Sequence, residues 1–329
     1  MRRRAAGSCV RAEGKTVLRL SVAAIVVVYV FRAIGTKWGE LRDGATALRP
    51  DWFGLLFASA CIGAGYALLI AAWRLLLARW NSPLGVRSAT RIWFVSSLGK
   101  YVPGKVWAIG AMAILARDAG ASPLAATGSA IIMQLVNIAA GFAVVAMAGA
   151  GELLATNPVL RGAAWVTLAA TVIGLAFGPQ LLVWAVTTAT RLVRRPPVDM
   201  PLISRGTLVL VFAANVAAWV AYGIGFGLFW RALLGHGGGI SMAVLAVYTA
   251  SYLVGFLTFF APGGIGVREA VLAGLLISLR LATPAEAALL AAGSRVWLTV
   301  VEVLPGLVFL PGVSLRRGPP LSSSDGPAA

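Results

Sequence analysis

The chain has 329 residues, 59% of them hydrophobic and only 12% charged, with a mean hydropathy of +0.87. A soluble domain of this length carries about 25% charged residues, so a soluble fold is excluded. The net charge of +17 would point to nucleic acid in a soluble protein. Here the arginines sit mostly at the ends of apolar runs, where they set topology and meet anionic headgroups, and no nucleic-acid partner is expected.

The chain opens with a basic tail, 1–16, followed by a first apolar span, 17–33. The run Tyr29-Val30-Phe31-Arg32 offers no small-residue cleavage site, so the span reads as retained and not as a signal peptide. Further spans of about 20 residues or more follow at 52–74, 123–148, 160–191, 208–230 and 284–310, the third of these carrying Gly178-Pro179 as a kink point. The last segment, 311–329, is Pro/Ser-rich and reads as disordered. Cys9 and Cys61 fall in the basic tail and in mid-span, which suggests neither a disulfide framework nor a metal site.

Two apolar stretches are interrupted. Residues 90–116 are broken at Pro103-Gly104 and contain Lys100 and Lys105; residues 240–279 are broken at Pro262-Gly263-Gly264-Ile265-Gly266 and contain Arg268 and Glu269. The arms 90–102 and 267–279 reach about 20 Å each at helical rise, too short for a hydrocarbon core of about 30 Å. Each stretch either crosses once as a broken helix or enters and leaves by one face as a re-entrant hairpin. With a cytoplasmic N-terminus, hairpins put 17 Lys/Arg inside and 7 outside, whereas single crossings give 14 and 10. The positive-inside rule therefore prefers hairpins.

The two breaks also repeat one another. Tyr101-Val102-Pro103-Gly104, then Ser122-Pro123 and a span, resembles Phe260-Ala261-Pro262-Gly263, then Thr283-Pro284 and a span. Three crossings separate the copies, which gives them opposite orientation, an arrangement used by transporters. The fold class read from the sequence is an all-α polytopic membrane protein of about six full spans plus two re-entrant or broken hairpins arranged as an inverted repeat. It has a cytoplasmic tail at 1–16, one transmembrane domain over 17–310 with repeats near 87–150 and 240–310, and a tail at 311–329.

The chemistry concentrates at the second break. A Pro/Gly interruption leaves backbone groups that only protein or a wet cavity can satisfy, and a helix starting near Gly266 aims its positive end there, which suits a phosphate. Arg268 adds charge, and the plain alternative is a kink with a snorkelling Arg-Glu pair. Arg295 and Glu302 lie seven apart on one face of the last span, with Glu269 the partner for Arg295. Intramembrane ions are costly and face a cavity or one another. Lys100 and Lys105 either contact a lipid phosphate or snorkel. Gln134 and Asn137 read as interhelical glue, His236 as solvated, and Gly223-x-Gly225-x-Gly227 as close helix packing.

The Pro262-Gly263-Gly264-Ile265-Gly266-x-x-Glu269 segment, Arg295 in the last span and the earlier Pro103-Gly104 break resemble the flippase-like membrane domain of lysylphosphatidylglycerol synthases. The first copy departs from that family's pattern, since residues 103–110 lack an acid after Pro-Gly. The sequence ends at Ala329 without the synthases' soluble aminoacyl-transfer domain, so the resemblance implies the stand-alone form. It implies translocation or binding of an anionic amphiphile, a phospholipid or a polyprenyl-phosphate-linked lipid, through a midplane cavity. The expected cavity residues are Lys100, Pro103, Gly104, Lys105, Pro262, Gly263, Gly264, Gly266, Arg268, Glu269, Arg295 and Glu302. No catalytic residue, metal or cofactor is expected, and the location is the plasma (cytoplasmic) membrane with both termini cytoplasmic. The partners are membrane lipids with anionic headgroups, with a lipid-modifying enzyme or glycosyltransferase as a further candidate. Two rivals remain: a membrane glycosyltransferase using a polyprenyl-phosphate donor and the acids Glu40, Asp43 or Asp51, and a non-catalytic subunit of a lipid-modifying enzyme.

Overall fold

The computed structural model describes residues 50–101, 106–149, 203–258 and 264–309, with scattered helical positions between 158 and 188. The first span, both tails, Gly178-Pro179 and the two proline breaks at Pro103 and Pro262 lie outside the described residues. The regular structure is helical: α1 (Trp52–Arg79), α2 (Val86–Ser97), a 3-10 turn (Leu98–Tyr101), α3 (Val106–Asp118), α4 (Pro123–Ala148), α5 (Arg205–Leu234), α6 (Met242–Leu257), α7 (Val267–Ser278) and α8 (Pro284–Phe309). Of these, α1, α4, α5 and α8 have 28, 26, 30 and 26 residues and are apolar enough to cross a membrane. The protein is an all-α polytopic membrane protein.

Local chemistry sets the ends of these helices. Asp51, Ser122, Ser204 and Ser241 each accept a hydrogen bond from an amide of the first turn that follows, at 3.0 to 3.2 Å. Pro123 adds a preset φ at the first position of α4. α8 starts with a reciprocal box: Thr283 N donates to Glu286 Oε2 at 2.8 Å, and Glu286 N donates back to Thr283 Oγ1 at 3.3 Å. α1 runs past the predicted end at residue 74 to Arg79, because 75–78 is an unbroken helix-forming run, Leu-Leu-Leu-Ala.

The interrupted stretches fold as paired short helices. α2 packs against α3 and α6 against α7; arms of one continuous broken helix would meet only at their ends. Glycine permits the close approach. A methyl group on Gly99 would sit 3.0 Å from the backbone nitrogen of Ala108, and one on Gly255 would strike Cβ of Arg268.

The packing has a two-part pattern. α1–α4 and α5–α8 are equivalent series, and each described α-helix contact in one has a counterpart in the other. α2 packs on α8 as α6 packs on α4, α3 on α4 as α7 on α8, and α1 on α8 as α5 on α4. The most extensive contact, α1 with α5, pairs equivalent helices. Asp51 N donates to the carbonyl of Ala232 at 2.8 Å, while Gly65 abuts Tyr222, so these two helices run antiparallel and the halves are inverted. The equivalent unit thus begins at α1, earlier than the sequence repeat near 87–150 reveals.

Polar side chains tie the apolar helices together where lipid gives no hydrophobic drive. Trp73 Nε1 donates to Ser129 Oγ at 2.9 Å, Trp297 Nε1 to Ser59 Oγ at 2.9 Å, and Asn137 Nδ2 to Asn215 Oδ1 at 3.1 Å. The glycine run of α5 packs closely, as predicted: Gly223 meets Leu245, Gly225 meets the Ala58 carbonyl, and Gly227 meets Gly239.

Candidate functional site

All eight helices contribute to one cavity of about 230 Å³ between the two halves. Its approach to α7 is built by glycine. Gly264 and Gly266 have φ of 70° and 78°, a left-handed conformation that side chains resist. A methyl group on Gly264 would collide with the Gly255 carbonyl. This turn brings the N-terminus of α7 to the cavity, where Gly264 is part of the wall. Glu269, in the first turn of α7, accepts from the Gly266 amide through Oε2 at 2.6 Å. The carboxylate therefore caps the helix through one oxygen and faces an ion-pair partner with the other.

That partner is Arg295 of α8, whose Nε lies 3.5 Å from Glu269 Oε1. Both side chains are largely buried, and the pair ties the second hairpin to the following span. Arg268, the residue before Glu269, packs against α6 instead. It is only 6% exposed, and its guanidinium carbon sits 4.3 Å from the ring centroid of Tyr252 and 5.3 Å from that of Tyr248. These tyrosines are one turn apart on α6, so their faces hold the guanidinium across the hairpin. Its Nη2 is buried and has no hydrogen-bond partner among the described residues. Glu302, 8% exposed, accepts from the Tyr66 hydroxyl of α1.

The predicted residues divide three ways. Gly264, Arg268, Arg295 and Glu302 line the cavity together; Gly266 and Glu269 shape its helix end. Lys100 lies in the 3-10 turn after α2. Pro103, Gly104, Lys105, Pro262 and Gly263 lie outside the described residues. Asn137 makes the predicted interhelical bond and also lines the cavity, as does Gln134. His236 is solvated, its side chain 69% exposed, and its Nε2 lies 3.7 Å from Glu286. Of the acids weighed for glycosyl transfer, Asp51 is occupied as the cap of α1, while Glu40 and Asp43 lie outside the described residues.

Sequence reasoning missed the tyrosines. Tyr66, Tyr222, Tyr248 and Tyr252 all line the cavity; Tyr248 stacks on Phe226, and the other three join edge to face through Trp219. Tyr66 and Tyr222 have centroids 5.6 Å apart, Trp219 lies 5.8 Å from Tyr222, and Tyr252 lies 5.2 Å from Trp219. The available signal was the spacing of Tyr248 and Tyr252, four apart on the helix that precedes the break.

The arrangement presents a helix N-terminus, a buried arginine with an unpartnered donor, and hydroxyl groups inside a membrane-spanning bundle. No curated protein matches the chain. Residues 16–306, nearly all of the apolar region, match the family described as the lysylphosphatidylglycerol synthase TM region, and the chain belongs to that family.

Proposed function

We propose that this protein receives the phosphate of a membrane lipid headgroup in the cavity between its two halves and passes it across the bilayer, the hydrocarbon chains staying in lipid. Arg268 is the observation that carries the reading. A buried guanidinium costs several kcal/mol unless it is paired, yet Nη2 of Arg268, beside the amino end of α7, has no hydrogen-bond partner among the described residues. A phosphodiester supplies the acceptor that this group lacks, and the helix end favours the same charge. Arg295 contributes positive charge to the same wall, held there by Glu269. The inverted halves support translocation over static binding, because inversion lets one site face either membrane surface in turn. In this reading both termini are cytoplasmic and the membrane is the plasma membrane.

The occupied cap role of Asp51 speaks against the glycosyltransferase alternative. The test is reconstitution of the purified chain into liposomes with fluorescent phospholipids and a membrane-impermeant quencher. Wild type should expose inner-leaflet lipid to the quencher, and Arg268→Gln should slow this by about ten- to a hundredfold, the loss of one charge-assisted contact. Equal rates in empty liposomes and protein-containing ones would overturn the proposal.

A further inference from the structure

Glu302 is a buried acid in the cavity wall that phosphate binding alone does not use. It shares that wall with Arg268 and Arg295 and accepts from the Tyr66 hydroxyl of α1. Tyr252 feels the charges of Glu302, Arg268 and Arg295 alike, so the three form one electrostatic set. Tyr66 and Tyr222 face Glu302 from α1 and α5, and Tyr248 and Tyr252 face it from α6. Among the described residues, the lining from α2, α3 and α4 carries no charge, and its polar side chains include Ser96, Ser97, Gln134 and Asn137. Glu269 completes the set through its pair with Arg295. Two arginines are thus matched by two carboxylates, and the charges of these described residues sum to zero.

A phosphodiester added to this balanced set leaves one negative charge in excess inside the bilayer, where unmatched ions are costly. Glu269 serves both Arg295 and the Gly266 amide as a carboxylate. Glu302 is placed differently, because a protonated carboxyl still accepts the Tyr66 hydrogen bond. We infer that Glu302 is a proton site, and that an anionic headgroup enters the cavity together with one proton. The inference rests on the phosphate reading above. The proton leaves water on the side where the headgroup enters and forms an O–H bond with a Glu302 carboxylate oxygen. It returns to water on the other side as the headgroup departs, so protons and charge balance over the cycle. Lipid and proton then cross together without net charge, and a pH gradient drives the movement.

The test uses the purified full chain in detergent and two lipids with identical labelled acyl chains. One carries an anionic phosphoglycerol headgroup, and the other phosphocholine, which brings its own positive charge. Phosphoglycerol binding should tighten by up to about tenfold per pH unit as the pH falls from about 8 to about 5. Wild type should take up about one proton per phosphoglycerol bound, read with a pH indicator in weakly buffered solution. The phosphodiester keeps its charge throughout, and phosphocholine binding should stay flat. Glu302→Gln keeps an acceptor for Tyr66 and removes the charge. It should bind phosphoglycerol at the alkaline end as tightly as wild type does at the acid end, without proton uptake. His236 titrates in the same range but pairs with Glu286 outside the cavity lining, so His236→Gln should keep the slope. Wild type without proton uptake, equal slopes for the two lipids, or a slope retained in Glu302→Gln would overturn the proton site alone. The wild-type proton count decides even where Glu302→Gln fails to fold. Arg268→Gln should weaken phosphoglycerol at every pH, and unchanged binding there would overturn the phosphate reading instead.

Discussion

The two halves of this molecule share a plan and differ in charge. Counted from the prolines that open α4 and α8, Gln134 occupies the place of Arg295, and Gly141 that of Glu302. Counted from the caps of α1 and α5, Tyr66 occupies the place of Trp219. Both of these aromatic residues reach across to the opposite half, Tyr66 to Glu302 and Trp219 Nε1 to the Asn137 carbonyl at 2.9 Å. The cross-ties are thus kept in both halves. Among the described residues, the charges that line the cavity come from the second half alone. Gly141 could not carry a counterpart of Glu302, because a methyl group there would sit 2.9 Å from Leu253 and 3.0 Å from the Trp219 ring. The comparison teaches that inversion builds the cavity and one half supplies its electrostatics.

The largest effect that sharpens this contrast concerns the Glu269–Arg295 pair. Arg295→Ala leaves a largely buried carboxylate without its partner and should destabilise the fold by about 3–5 kcal/mol, seen as loss of the monodisperse species on heating in detergent. Arg295→Leu with Glu269→Leu should recover most of that stability while lipid movement stays slow, since Arg295 also lends charge to the cavity. A double variant that folds and moves lipid at the native rate would reduce the pair to a structural role. The equivalent change in the other half, Gln134→Ala, should affect lipid movement much less than Arg268→Gln does, because it removes no charge.

The smallest effect tests the shared plan. Asn215 is fully buried, joins Asn137 of α4, and donates to the Val211 carbonyl at 2.8 Å. Asn215→Ala should cost about 0.6–1.7 kcal/mol, the range for interhelical hydrogen bonds inside a bilayer. The measured quantity is again thermal stability in detergent, and a loss as large as that of Arg295→Ala would mean that this neutral tie between the halves carries more of the fold than its chemistry implies.

Four of the spans, the pairing of short helices at the two interruptions and the inverted orientation were legible because hydropathy, proline-glycine breaks and arginine bias are local signals. The pairing of Glu269 with Arg295 was legible too, since two ions inside a bilayer have few partners to choose from. The role of Arg268 was read only as charge. That its guanidinium lies between the rings of Tyr248 and Tyr252 depends on how closely α7 returns to α6, which Gly255 and Gly264 decide through tertiary contact. The place of Tyr222 in the cavity wall was invisible for the same reason. One tyrosine in a glycine-rich span reads as packing until α1 and α8 place Tyr66 and Glu302 beside it. That α1 and α5 occupy equivalent places was not legible, because they share few residues.

The central claim is that a lipid phosphate sits in the cavity at Arg268. Photocrosslinking tests it most directly, with a phospholipid bearing a diazirine in its headgroup bound to the purified protein and the attachment sites read by mass spectrometry. The account predicts adducts on cavity residues such as Tyr222 and Tyr252, competed away by unlabelled phospholipid and lost in Arg268→Gln. Adducts confined to exposed helix faces such as Trp52, Phe53 and Leu135, and indifferent to Arg268→Gln, would contradict it.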